Sequence, residues 1–377
     1  MPITTSSALA LAARLHGGEM TIAQALDACY AAIENGGKNN FITLCKSQAY
    51  ARAGEIQARL DAGEARSPLA GVPVAVDDRI CTKGILTTAG SKALEGFAPP
   101  YDAAVMEKLG AADMVLLGKT GVDEFGMGGA VCGAALAVQA GEAPIALCCD
   151  TGGELRLSAA KCGVFGLRPT YGAVSRYGLV AYASSMDQIG PIARDAADCA
   201  ALFDIIKGRD ERDSTTCGGA PPLRGLQAKP CIGALPQIDY ALPTYHILAS
   251  AEASSNLSRY DGIKYGHASE KARNLRDAYV LSRSEGFGTE AKRRVLLGNF
   301  VLDAGRFDAY YQKALRARRL IQQALFAALE EYDALAAPAD DESALVLASL
   351  AGLPALALPD GRQIVGRAFG EGMLVAP

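Results

Sequence analysis

Between Gly71 and Ile206, strand-length apolar runs alternate with helix-length segments, and this alternation most limits how the chain can fold. GVPVAVDD (Gly71 to Asp78) is one such run. VMEKLGAADMVLLGKT predicts a helix followed by a strand, and IALCCD (Ile145 to Asp150) a further buried strand. GVFGLRPTYG continues the pattern, and a helix fits Ala196 to Ile206. Alternation of this kind calls for an α/β fold with a twisted mixed central sheet covered by helices on both faces.

The flanks are helical. Leu9, Leu11, Ala12 and Leu15 form one apolar face, with Thr4 to Ser7 as N-cap candidates. A second helix is expected over Ile22 to Ile33, capped by Thr21, and a third over about Ala49 to Ala62. From about Asp213 to Leu242, Gly, Pro and Cys are frequent and the chain turns irregular. Helices are then expected over about Tyr245 to Arg259, Arg273 to Arg283, Glu290 to Asp303 and Phe307 to Tyr332. In the last, Leu315, Ile321, Leu325 and Leu329 form an apolar stripe. Lys313, Arg316, Arg318 and Arg319 form a basic face expected to meet solvent or a partner. LAGLPALALP predicts a short strand near the end.

Composition narrows the function. A net charge of −4, no Trp and few aromatics argue against direct nucleic-acid binding, which needs a basic face and stacking platforms. The ten cysteines form no CxxC pair and the three histidines lie far apart, so no metal site is expected. Scattered thiols are expected as half-buried reduced groups in a reducing compartment. The N-terminal stretch lacks a basic n-region and no apolar run is long enough for a bilayer span, so a soluble, cytoplasmic chain is expected, without a membrane partner. Nothing in the sequence calls for a cofactor.

The most informative segment is DTGGELRLSAAKCGVFGLRPTYG (Asp150 to Gly172). A strand runs into Thr151-Gly152-Gly153, where glycines let successive backbone N–H groups converge on one point, the geometry of an anion nest or oxyanion hole. Most Gly-Gly turns merely turn, so the motif needs its context.

That context resembles the amidase signature family, whose pattern is a D-T/S-G-G-S-I-R run followed by C-G-x-x-G-L-K-P-T. The chain has Asp150, Thr151, Gly152, Gly153, Arg156, Cys162, Gly163, Gly166, Leu167, Pro169 and Thr170 in place. GVPVAVDDRICTKGILTT, PPYDAAVMEKLGAADMVLLGKTGVDEFGMG, VSRYGLVAYASSMDQIGPI, SAEASSNLSRYDGIKYG and SEGFGTEAKRRVLLGNFVLDAGRFDAYY narrow the resemblance to the A subunits of glutamyl-tRNA(Gln) amidotransferases. It implies one amidase-signature domain over residues 1–377. Its parts are N-terminal helices (1–65), a signature core (66–210), a shortened connector (211–242), a helical insertion (243–335) and a C-terminal strand region (336–377).

Such enzymes cleave amides through an acyl-enzyme: a serine attacks, a second serine relays the proton, and a neutral lysine is the base. In the amidotransferase, ammonia from glutamine passes to the B subunit. The chain departs at all three places. Asp77 stands at the lysine, Glu154 at the nucleophile and, by alignment of GGAVCGA, Ala130 at the relay; no serine occurs between Ser91 and Ser158. Lys83 matches an ordinary CTKG lysine and is no substitute. These changes make the pocket about three charge units more negative, and two facing carboxylates are expected to repel and to raise at least one pKa. Thr151, Gly152 and Gly153 keep the oxyanion turn, while Tyr245 and Arg294 match positions that grip the amino-acid end of glutamine. Without the resemblance, Arg294 would be taken for a helix-surface charge. Glu342 is the remaining acidic candidate for the amino group.

Several functions stay open. The chain is expected to be a pseudo-amidase with a scaffold, regulatory or ligand-binding role, docking on the amidotransferase B and C subunits or on a true A subunit. An enzyme of altered chemistry could use Asp77 and Glu154, or recruit Cys132, Cys148 or Cys149 as a nucleophile. A sensor could bind glutamine or a related small amide without cleaving it. A chain without a retained role is also compatible with the sequence.

Overall fold

The computed structural model describes residues 6–36, 40–217 and 231–375. Within them, ten strands form one mixed sheet. They are β1 (Phe41–Leu44), β2 (Pro73–Asp77), β3 (Val115–Thr120), β4 (Ile145–Asp150), β5 (Phe165–Arg168), β6 (Gln188–Ala193), β7 (Ile232–Ala234), β8 (Ala334–Pro338), β9 (Ala355–Ala357) and β10 (Arg362–Gly366). Their spatial order is β1-β3-β2-β4-β6-β5-β9-β10-β8-β7. Strand β2 runs parallel to β3 and β4, β7 runs parallel to β8, and the other neighbours are antiparallel.

The α/β expectation holds, and burial explains it. Every residue of β2, β4 and β6 is buried, as strands covered on both faces must be. Toward the other end, alternate residues divide between two apolar clusters. On β8 and β10, Ala334 and Ile364 pack in one, whereas Leu335 and Val365 pack in the other. That is the period of two written across a sheet.

Helices largely follow the sequence. Ala8–His16 is capped by Ser7, whose Oγ accepts from the Ala10 amide; Thr4 and Thr5 lie outside the described residues. Thr21 caps Ile22–Gly36 by accepting from the Gln24 amide. Lys46–Asp61 begins three residues before its expected start, following β1, which the sequence did not disclose. The later helices are Ala241–Asn256, Leu275–Gly286, Thr289–Leu302 and Lys313–Glu331. The last is preceded by a π-turn over Asp308–Gln312, where one continuous α-helix was expected. Glu342–Ala351 is a further helix, buried along most of its length; it takes Leu350 and Ala351 of the expected LAGLPALALP strand, which is confined to Ala355–Ala357.

The expected basic face is corrected at Arg318. Lys313, Arg316 and Arg319 are exposed, but Arg318 turns inward and donates to the Leu350 carbonyl, the Ser185 hydroxyl and the Ser185 carbonyl. Leu315, assigned to the apolar stripe, is 39% exposed, whereas Ile321, Leu325 and Leu329 are buried.

What fixes the edge of the site is the end of β4. The Asp150 carboxylate accepts from Arg156 (3.1 and 3.2 Å) and from Arg168 Nη1 (2.7 Å), all fully buried. Arg156 continues to Gln363 on β10 and to Ser349, so one carboxylate ties β4, β5 and β10 together. Burial raises the Asp150 pKa, but the two guanidinium groups outweigh it and hold it at about 2. Because the folded value is depressed, Asp150 contributes its stability above the ordinary carboxyl pKa and loses it as pH falls toward about 2. Asp150→Asn leaves two buried guanidinium groups underpaired and should cost about 3–5 kcal/mol in urea unfolding at neutral pH. A loss below about 1 kcal/mol would show that β4 is not anchored this way.

Candidate active site

The carboxyl ends of the parallel strands β2 and β4 lie side by side, with Val76 in register with Leu147. Ligands of open α/β sheets gather at such ends. Asp77 closes β2 and is 1% exposed. Its Oδ1 accepts from the Arg79 amide at 2.8 Å, and its Oδ2 accepts from the Cys149 amide at 3.3 Å. The Arg79 guanidinium, also 1% exposed, folds back onto the same carboxylate, with Nη2 at 3.2 Å from Oδ2 and Nε at 3.3 Å from Oδ1. Nη2 further donates to the Cys149 carbonyl at 3.2 Å.

Glu154 opens the helix Glu154–Lys161, directly after the Gly-Gly turn. Its Oε2 accepts from the backbone amides of Thr151 and Gly152, both at 2.9 Å, and its Oε1 accepts from Arg79 Nη1 at 3.1 Å. A carboxylate at a helix N-terminus is also favoured by the helix dipole. The amides that converge in the turn are therefore engaged by the chain's own side chain. The expected nest exists, and Glu154 fills it.

This arrangement corrects the electrostatics expected from sequence. Asp77 and Glu154 do not confront each other, because Arg79 stands between them. Burial alone would raise the Asp77 pKa, but the charge and hydrogen bonds of Arg79 prevail and hold it below the ordinary range. Arg79 went unnoticed in the sequence because it sits among the ordinary residues of the DDRICTKG segment. The available signal was a cation two residues beyond Asp77, at the end of a strand otherwise free of charge. The loop above it is shaped for this ion: a Cβ on Gly126, at φ 76°, would lie 2.0 Å from Arg79 Nη1.

The remaining predicted residues divide. Gly152, Gly153, Glu154, Tyr245, Arg294 and Glu342 line one cavity of about 100 Å³, together with Tyr182, His246 and the loop Gly126 to Ala130. Gly152 is held against Tyr245, since a Cβ there would meet the phenol oxygen at 2.3 Å. Thr151 turns away, donating its hydroxyl to Asp187 at 2.6 Å. Arg294 is 8% exposed, not a surface charge. It donates from Nε to Glu290 at 2.7 Å and lies 2.8 Å by Nη1 from His246 Nδ1, two partners the sequence did not suggest. Burial and the Arg294 charge lower the His246 pKa.

Ala130 is exposed on the loop, its amide donating to Asp123 at 2.9 Å. Lys83 is exposed, and the buried Lys119 ammonium donates to the Ile80 carbonyl and the Thr87 hydroxyl. Cys148 and Cys149 are buried in β4 and both thiols are pushed well above their ordinary pKa, Cys148 by its hydrogen bond to Cys132 and by burial, Cys149 by burial. Among the described residues, no group of three or more His, Cys, Asp or Glu side chains could hold a metal ion, and no helix is long and apolar enough to cross a membrane.

The fold and the turn define a class, and comparison with known proteins agrees. The chain matches the Amidase family over residues 24–132, 127–222 and 222–356 and belongs to it. Within the family it is 41% identical to the A subunit of glutamyl-tRNA(Gln) amidotransferase from Desulforamulus reducens, over 89% of this chain and 88% of that protein. Its identity to the corresponding subunit of Lachnoclostridium phytofermentans is 40%, over 98% and 95% of the two chains. That alignment runs over 471 positions against a chain of 377 residues, so stretches of the relative have no counterpart here. Among solved structures, the A subunit from Thermotoga maritima shares 32% identity over 82% of each chain, with a TM-score of 0.65. Peptide amidase from Stenotrophomonas maltophilia shares 26% over 99% and 96%, with a TM-score of 0.83.

If Arg79 holds the two carboxylates, Arg79→Met alone should cost about 3–5 kcal/mol, because Asp77 is left charged and buried. Adding Asp77→Asn should recover part of that loss, giving an interaction of about 1–3 kcal/mol in the double-mutant cycle read by chemical denaturation. Strict additivity would show that the two groups do not stabilise each other.

Proposed function

We propose that this chain is a non-hydrolysing member of the amidase family, with a structural or regulatory role beside the tRNA-dependent amidotransferase. One observation carries the proposal: the Glu154 carboxylate accepts both amides of the turn at 2.9 Å. An acyl-transfer site needs those donors free for a developing oxyanion, about 2.7–3.1 Å from where that oxygen will sit. It also needs an activated nucleophile. Here a carboxylate already holds the oxyanion position, and the side chain at the nucleophile position is itself that occupant. Arg79 stands between the two carboxylates and bonds to both, so Asp77 and Glu154 do not face each other as the proton-sharing dyad that acid–base chemistry would use.

The relatives are subunits of an amidotransferase by name, and the likeness to them extends over nearly the whole chain. A role in that assembly therefore suits a chain whose framework is kept and whose reaction centre is self-filled. The B and C subunits, or a true A subunit, are the proposed partners. Co-expression with the B and C subunits should yield a complex on affinity capture and gel filtration. A chain that elutes alone, both with those two and with an active A subunit, would defeat this part of the proposal.

A second role, binding a small amide without cleaving it, is favoured by the cavity, where Arg294, Tyr245, His246 and Glu342 converge. Arg294 is the group suited to a ligand carboxylate. Calorimetry with glutamine should show heat that disappears in Arg294→Ala; no heat with either protein would end this reading.

The purified chain should release no ammonia from glutamine above the uncatalysed background. Restoring Asp77→Lys, Ala130→Ser and Glu154→Ser together should still fail, because the new lysine would face the buried Arg79 guanidinium with both its carboxylates gone. Adding Arg79→Gln should bring ammonia release back. Turnover in the unmodified chain, lost on Glu154→Gln, would favour an enzyme of altered chemistry instead.

A further inference from the structure

Cys132 and Cys148 are brought together only by the fold. Cys132 is the N-cap residue of the helix Gly133–Ala140, and Cys148 lies inside β4. Their Sγ atoms stand 3.4 Å apart, and both thiols are free. The Cys148 sulfur is also 3.5 Å from Asp77 Oδ2, so the pair lies directly beneath the ion-paired group of the candidate site. Cys148 is fully buried, while Cys132 keeps 7% of its surface. Cys132 follows Gly128, Gly129 and Ala130, which are exposed or line the cavity.

We propose that Cys132 and Cys148 are a redox modification site that closes to a reversible disulfide on exposure to hydrogen peroxide or an organic hydroperoxide. Cys132, the less deeply buried of the two, attacks the peroxide oxygen. The O–O bond breaks, an S–O bond forms, and Cys132 becomes a sulfenic acid with release of water or the alcohol. Cys148 then attacks that sulfur. The S–O bond breaks, the S–S bond forms, and the departing hydroxide takes the Cys148 proton to leave as water. Two thiols and one peroxide thus give one disulfide and two hydroxylic products, with the peroxide reduced by two electrons.

Geometry and electronics support the order of events. A disulfide needs sulfurs about 2.05 Å apart, so the pair must close by roughly 1.4 Å, a displacement that side-chain rotation and a small shift of the glycine-rich loop can supply. The hydrogen bond from Cys148 holds the Cys132 thiol below its ordinary pKa, against the effect of burial, and so favours it as the attacking sulfur. The bond would fasten the loop that carries Ala130 to β4 and draw Cys148 away from Asp77. Oxidation is thereby coupled to the shape of the cavity, independently of whether the chain hydrolyses anything.

The test uses the full chain with its two exposed cysteines removed, Cys217→Ser and Cys231→Ser. Hydrogen peroxide should lower the intact mass by about 2 Da and protect two thiols from alkylation, with both changes reversed by dithiothreitol. Cleavage after Glu142, the one glutamate between the two cysteines, should give linked peptides that fragment to Cys132 and Cys148. The signal should vanish in Cys132→Ala and in Cys148→Ala and persist in Cys149→Ala. An unchanged mass, a gain of oxygen without a bridge, or a bridge mapped to Cys149 on the parent chain would each overturn the proposal. The peptide map is read on the parent protein and so does not depend on how well the variants fold.

Discussion

Arg79 is the ion on which the local structure turns. It is almost wholly buried, touches Asp77 with two of its nitrogens, Glu154 with a third contact, and the Cys149 carbonyl as well. Each carboxylate explains part of the other's position. Asp77 could not be held buried and charged at the end of an apolar strand without a cation, and Glu154 could not lean over the turn if its other oxygen faced a second bare carboxylate. The loop bearing Gly126 closes over this ion only because that residue has no Cβ.

With this arrangement in place, the oxyanion turn changes its meaning. In a hydrolase the converging amides wait for charge that develops during the reaction. Here the Glu154 side chain already accepts from the same amides in the resting state, and the helix dipole favours a carboxylate there. The turn is braced by the first residue of the helix it leads into. The same backbone geometry that could stabilise a transition state instead fixes the start of the helix Glu154–Lys161. Asp150, bonded to Arg156 and Arg168, anchors the strand end that leads into the turn.

Much of this was legible from residues alone. The alternation of apolar runs and helices disclosed the layered sheet, because burial on both faces leaves strands without polar positions. The motifs around Asp77 and Glu154 singled both residues out as candidates. Short or partly exposed strands were not: β1 alternates between half-buried and exposed, and β7 has three residues, so neither leaves a clear periodic trace. Arg318 had the spacing of a surface charge and was claimed instead by carbonyls of two distant segments, which no local pattern encodes.

The sequence by itself determined the family framework, the strand and Gly-Gly turn of Asp150 to Gly153, and the presence of acidic residues at 77 and 154. Those are properties of covalent order and of local backbone preference. Only the tertiary structure decided how Asp77 and Glu154 are held. Whether two added carboxylates repel or are paired depends on what lies within a few ångströms of them, and Arg79, Cys132 and Cys148 reach that place from three different elements. Coulomb interactions act through space, with a strength set by distance and burial, and neither quantity is written in the order of the residues.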